Sequence, residues 1–140
     1  RHVDNTREIV DFLMAQPQVD RVGYPELDGH PDQSLAATLL PKGCGAVFSF
    51  DLSGGRPAGI AFVDALNVFS HLANIGDAKS LVIHPASTTH HRMNAEALAA
   101  GGIGEGTIRL SIGLEDAKDL IADLKQGLRA AGKAAGDSRS

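Results

Sequence analysis

The chain has 140 residues, a single-domain length, and its 43% hydrophobic and 21% charged residues are ordinary for a globular domain. A domain of this size buries roughly two-thirds of the surface its unfolded chain exposes, so it needs no disulfide or metal staple. The net charge of −4 is scattered without a basic stripe, which argues against a nucleic-acid partner. No apolar run approaches the ~20 residues of a membrane-spanning helix.

The chain opens on Arg1, a residue too large to follow a processed initiator Met, so the sequence reads as a fragment of a longer protein. A first helix is predicted over 6–16. Asn5 and Glu8 have the spacing of a capping box, Ile9, Phe12, Leu13 and Met14 form the apolar side, and Pro17 stops it. Residues 19–24 read as a short strand, followed by a loop marked by Pro25 and Gly29. Pro31 opens a helix in which Leu35, Ala36, Leu39 and Leu40 recur at helical spacing, and Pro41-Lys42-Gly43 ends it.

Residues 46–52 alternate as a strand with one covered face, and Ser53-Gly54-Gly55 turns the chain. A helix is predicted over 57–69. Ile60, Phe62, Val63, Leu66, Val68 and Phe69 surround most of its axis, which predicts burial on several sides or packing against another domain. Residues 81–83 form a short apolar strand closed by Pro85, residues 94–100 look helical, and residues 107–112 read as a strand.

The last helix carries Leu114, Ala117, Leu120, Ile121, Leu124 and Leu128 in one stripe. Its acidic residues lie early and its basic residues late, as the helix dipole favours. The domain spans 1–133, and the small, polar tail over 134–140 is expected to be disordered. The alternation of helices and strands makes this an α/β protein. It fits either a parallel sheet or a small open sheet with helices on one face.

Four features invite a site. The glycines between Gly101 and Gly106 resemble a dinucleotide loop, but a helix precedes them and a strand follows, the reverse of the required order; a flexible turn accounts for them better. His84, His90 and His91 lack an orienting carboxylate nearby, and Pro85 breaks any i,i+4 ligand pair, so no metal site is expected. Cys44, between two glycines, reads as a small residue filling a tight strand start, with no disulfide partner and a reducing, cytoplasmic setting. Arg109 differs, because it lies inside a strand between apolar neighbours, where a guanidinium is costly unless paired. No acidic residue offers itself as an obvious partner in an adjacent strand. An Arg snorkelling off an edge strand is one reading. A guanidinium presented to an external carboxylate is the other, and the missing partner favours it.

Three segments resemble the C-terminal domain of the trans-sulfuration, or Cys/Met-metabolism, enzymes that depend on pyridoxal 5'-phosphate (PLP). They run over 74–90 (Asn-Ile-Gly-Asp through His-Pro-Ala-Ser-Thr-Thr-His), over 104–116 (Gly-Glu-Gly-Thr-Ile-Arg-Leu-Ser-Ile-Gly-Leu-Glu-Asp) and, more loosely, over 40–50. The resemblance covers roughly 5–128. It implies a small, mostly antiparallel sheet with helices on one face, as in fold-type-I PLP enzymes, packed against a larger cofactor domain in a homotetramer.

The same resemblance implies roles. Arg109 matches the arginine that grips the substrate α-carboxylate, Asn74 a position beside that carboxylate, and Thr89 a threonine near the arginine. Asn74 is similar to the sulfhydrylase branch, the O-acetylhomoserine sulfhydrylases. The implied reaction is a γ-replacement, in which an acylated homoserine loses its acyl group and sulfide or a thiol adds to give homocysteine or methionine. Cystathionine synthesis, γ-elimination and a non-catalytic binding or oligomerisation module stay open. None of the lysines matches the family's Schiff-base lysine, so PLP is expected on the missing cofactor domain and this chain alone is expected to be inactive.

Overall fold

A computed structural model describes residues 1–88, 94, 96–97 and 103–139, with the backbone alone for 137–139. Helix α1 spans His2–Met14, strand β1 Val19–Gly23, helix α2 Gln33–Leu39 and strand β2 Val47–Leu52. Helix α3 spans Gly55–Asp64, and two short strands follow, β3 (Ser70–His71) and β4 (Leu81–Ile83). A 3-10 turn covers Pro85–Ser87, and strand β5 (Thr107–Ser111) and helix α4 (Ala117–Arg139) complete the chain.

The strands form one sheet in the order β1-β2-β5-β4-β3. Three neighbouring pairs are antiparallel, and only β3 and β4 run parallel. The fold is therefore an α/β layer with a mostly antiparallel sheet. Successive strand side chains point to opposite faces, so one set of alternate residues meets the helices. Val22, Phe48, Phe50, Leu52, Val82, Ile108 and Leu110 form that set. They pack on Ile9, Val10 and Leu13 of α1, Phe62 and Val63 of α3, and Leu120, Leu124 and Leu128 of α4. Phe50 and Phe62 meet edge-on with ring centres 5.6 Å apart, tying sheet to helix at the middle of the core.

Several sequence expectations need correction. Helix α1 begins at His2, and Asn5 is not its cap but lies inside it. The Asn5 Nδ2 donates to the carbonyls of Gly113 (3.2 Å) and Glu115 (2.7 Å), and the Arg1 Nε donates to that of Leu114 (2.7 Å). The turn between β5 and α4 leaves these carbonyls outside any ladder, and the start of α1 satisfies them. Leu114 precedes α4 and is exposed, so it does not belong to the buried stripe.

The apolar run over 57–69 is not one helix. Helix α3 ends at Asp64, and Val68 and Phe69 lie in a link that leads into β3. The buried carboxylate of Asp123 on α4 accepts the backbone N–H groups of Asn67 (2.8 Å), Val68 (2.8 Å) and Phe69 (3.1 Å), which holds the link extended. The apparent all-round pattern is thus the sum of two elements with different inward faces. Helix α4 runs through Arg139, and its Ala-rich composition favours helix. The helix expected over 94–100 falls largely outside the described residues, as do His90, His91 and the first two glycines of the cluster.

Candidate functional site

The face of the sheet turned away from the helices carries the polar half of each strand. Two rows of side chains cross it. In the first, Arg21 stands opposite Asp51 and Asp51 opposite Thr107. In the second, Gly23 stands opposite Ser49, Ser49 opposite Arg109, and Arg109 opposite Ile83. Because Gly23 has no side chain and Ser49 a small one, space opens beside Arg109. A cavity of about 290 Å³ fills it, closed by Ala73, Pro85 and Ile103.

Arg109 is half-buried in this cavity. Among the described residues its guanidinium has no hydrogen bond or ion pair. The sequence reading missed an acid in the same cavity, because Asp51 stands on the neighbouring strand, diagonal to Arg109. Both of its oxygens are occupied: Oδ1 accepts a hydrogen bond from Thr107 Oγ1 at 2.6 Å, and Oδ2 faces Arg21 Nε at 3.3 Å. Arg21 and Asp51 compensate each other, so the cavity retains the positive charge of Arg109. A partly desolvated, unpaired guanidinium is a receptor for a carboxylate.

The loop that supplies Ile103 is pinned from several sides. Gly104 N–H donates to Thr107 Oγ1 (2.8 Å), Leu52 N–H donates to the Gly106 carbonyl (2.9 Å), and the Glu105 carboxylate lies 3.5 Å from Arg56. His84, fully buried, bonds the Glu105 carbonyl through Nε2 at 2.6 Å. A carbonyl only accepts, so Nε2 carries the proton and Nδ1 accepts from the Ser87 hydroxyl (2.8 Å). Burial holds the imidazole below its ordinary pKa, against a smaller opposite pull from the Glu105 carbonyl. His84 thus serves as a neutral pin of the cavity wall. No sequence signal distinguishes it from a ligand.

The remaining candidates lie apart from Arg109. Asn74 follows Ala73 in the chain but is exposed, and its Oδ1 accepts the N–H of Ile75 at 2.8 Å. Thr89 lies outside the described residues. Cys44 donates its backbone N–H to Glu26 Oε1 (3.0 Å), and burial, with the Glu26 charge behind it, pushes its thiol pKa up, away from reactivity. All five lysines, Lys42, Lys79, Lys118, Lys125 and Lys133, are exposed and none lines the cavity. The described residues therefore do not fit a Schiff-base cofactor, since no amine stands beside the Arg109 space.

Arg21, Gly23, Ser49, Asp51 and Thr107 escaped the sequence reading. Their shared parity along three strands is visible in the sequence, but the register that brings them together is not.

Comparison with known proteins places these features. The Cys/Met metabolism PLP-dependent enzyme family matches residues 1–129. O-acetyl-L-homoserine sulfhydrylase 1 of Thermus thermophilus is 45% identical over 128 residues, covering 91% of this chain and 30% of that protein. L-methionine gamma-lyase of Pseudomonas putida is 45% identical over 130 residues, covering 93% and 32%. Among solved structures, cystathionine gamma synthase from Xanthomonas oryzae pv. oryzae, in complex with aminoacrylate and cysteine, superposes with a TM-score of 0.85. It is 46% identical and covers 95% of this chain and 34% of its own. A putative O-acetylhomoserine (thiol)-lyase from Campylobacter jejuni, which contains N'-pyridoxyl-lysine-5'-monophosphate, gives a TM-score of 0.83 at 39% identity over 91% and 30%. The chain thus spans about a third of the length of the relatives it matches. With nearly its whole length matched and its fold shared with solved members, the chain belongs to the Cys/Met metabolism PLP-dependent enzyme family.

Proposed function

We propose that this chain is the carboxylate-binding, C-terminal domain of an O-acetylhomoserine sulfhydrylase, with Arg109 as the residue that holds the substrate α-carboxylate. The observation that carries the reading is the Arg109 guanidinium, without a partner among the described residues, in a cavity on the sheet face opposite α1, α3 and α4, in a chain of this family. A bidentate Arg–carboxylate pair fixes both position and plane, so Arg109 would orient the bonds at the substrate Cα. The full enzyme would replace the acyloxy group of O-acetylhomoserine by sulfide or a thiol.

Pyridoxal phosphate, when bound, supplies an electron sink for bond cleavage next to the amino group. This chain's exposed lysines do not offer it an anchor, so it would bind to the remainder of the protein. Asn74 and Thr89, matched by resemblance, are the further candidates for the carboxylate side. The domain's partners would be its own cofactor domain and other copies of the enzyme in a cytoplasmic homotetramer. The 45% identity to a methionine gamma-lyase supports elimination as the second reading. The products separate the two: replacement converts O-acetylhomoserine and sulfide to homocysteine and acetate, and elimination releases the γ-substituent together with a 2-oxo acid and ammonia.

The test is steady-state kinetics on the full-length enzyme. Arg109→Ala should raise KM and lower kcat, for a loss of about 3–5 kcal/mol in transition-state stabilisation, part of it from a carboxylate left unpaired. Arg109→Lys should recover only part, because an ammonium lacks the planar fork. Unchanged kcat/KM in Arg109→Ala would remove the carboxylate assignment.

A further inference from the structure

We infer that Arg21 and Thr107 are positioning residues that hold the Asp51 carboxylate away from Arg109, and so keep Arg109 open to substrate. The inference rests on the reading of Arg109 as the carboxylate receptor. Its starting point is the geometry of the two rows. Asp51 and Arg109 share one face of adjacent strands at diagonal positions. Diagonal neighbours in a sheet lie roughly 7–8 Å apart, within reach of a side chain as long as arginine. An acid and a base so placed in a partly desolvated cavity should pair, yet Arg109 has no partner among the described residues.

The reason lies on either side of Asp51. Thr107, directly opposite on β5, donates its hydroxyl proton to Oδ1 at 2.6 Å, and Arg21, directly opposite on β1, faces Oδ2 with Nε at 3.3 Å. Three strands thus contribute one residue each to a single row, and the middle carboxylate is held at both oxygens. The Thr107 bond is the stronger restraint: it is charge-assisted and half-buried, whereas the Arg21 side chain is 74% exposed. The Thr107 hydroxyl is itself oriented, because its oxygen accepts the N–H of Gly104 at 2.8 Å and its proton is left for Asp51. Without these restraints Asp51 would become an internal competitor, and substrate would have to displace it from Arg109.

A competitor produces a distinctive kinetic signature, since it weakens binding without touching the chemical step. In the full-length enzyme, Thr107→Val should raise KM for the amino-acid substrate about tenfold, and Arg21→Ala about threefold, each with kcat within about twofold of the parent. The calorimetric Kd for L-norleucine, an amino acid with the same α-carboxylate and no leaving group, should rise in parallel. Adding Asp51→Asn to either variant should then reverse most of the rise, because it removes the competing charge. A merely structural role predicts the opposite, a double variant as impaired as the single or worse. No rise in KM, a fall in kcat alone, or failure of Asp51→Asn to rescue would each overturn the inference. Arg109→Ala in the same series separates the two ideas. If it leaves KM unchanged, the carboxylate reading itself fails; if it raises KM while Asp51→Asn does not rescue, only the positioning role fails.

Discussion

Arg109 and His84 are both polar groups held inside the fold, and they resolve that condition in opposite ways. His84 is fully satisfied, with one ring nitrogen donating to the Glu105 carbonyl and the other accepting from Ser87. Among the described residues Arg109 is left without a partner, in a cavity that small neighbours open. The contrast predicts different consequences for stability. Truncating Arg109 in the isolated chain should change its stability in denaturant melts little, within about 0.5 kcal/mol, because no partner among the described residues is lost.

His84 should instead make stability pH-dependent. Its folded pKa lies below the ordinary value of 6.5, so the unfolded chain binds the proton more readily. The stabilisation is therefore complete above pH 6.5 and is lost as pH falls from there towards the depressed folded value, by up to about 1.4 kcal/mol per pH unit. Denaturant melts between pH 7.5 and 5, a range chosen as roughly one unit or more on either side of 6.5, should show this slope, and His84→Gln should flatten it. An equal slope in both proteins would assign the effect to other groups. The sequence drew attention to His84 as one of three histidines, but its role as a pin depends on a carbonyl 21 residues away.

Among the elements, the pairing of α3 with α4 determines how closely the helical layer sits on the sheet. Gly127 on α4 faces α3, and a Cβ there would lie 2.7 Å from Phe62 Cδ2 and 2.9 Å from Leu66 Cδ2. Phe62 cannot yield easily, because Phe50 stands against it from the sheet. On an exposed helix Gly→Ala gains roughly 1 kcal/mol. Gly127→Ala should instead lose about 1–2 kcal/mol, since overpacking of a tight core costs more than propensity returns. A higher melting temperature for Gly127→Ala would show that the two helices can move apart.

Asp123 makes the second connection between these elements. Its carboxylate takes three backbone N–H groups of the link after α3, and Asp123→Ala would leave those donors unmatched. A loss of about 2–4 kcal/mol is expected, measured by chemical denaturation. This link also explains why the sequence pattern over 57–69 misleads. Apolar spacing reports which side chains are covered, and it does not reveal that a remote carboxylate stops the helix at Asp64.

At the scale of the molecule, the five lysines are all exposed and stand away from the Arg109 cavity. The purified chain mixed with PLP should therefore give no stoichiometric adduct at a single lysine after borohydride reduction. A unique trapped lysine would contradict the assignment of the cofactor to the rest of the protein. Among the described residues no helix is long and apolar enough to cross a membrane. The large exposed apolar side chains lie mainly on α2 and its end (Leu35, Leu39, Leu40) and in the stretch before β4 (Leu72, Ile75). On α3, Ile60 is the large apolar side chain that is exposed.

Much of this protein is legible before any coordinates. The alternating pattern of β2, the stripe of α4 and the long strings around His84 and Arg109 are local, because periodicity and contiguous motifs involve residues adjacent in the chain. They suffice for the family, for an α/β domain and for Arg109 as an unusual cation. The rows across the sheet are different in kind. Thr107 and Asp51 are 56 residues apart, and their meeting depends on strand order and hydrogen-bond register, which no local pattern encodes. A slip of one residue in β2 would turn Ser49 and Asp51 towards the helices and put Phe50 beside Arg109. The folded sheet, through the burial of Phe48, Phe50 and Leu52 on one face, sets the register that opens the cavity and places Asp51 diagonal to Arg109.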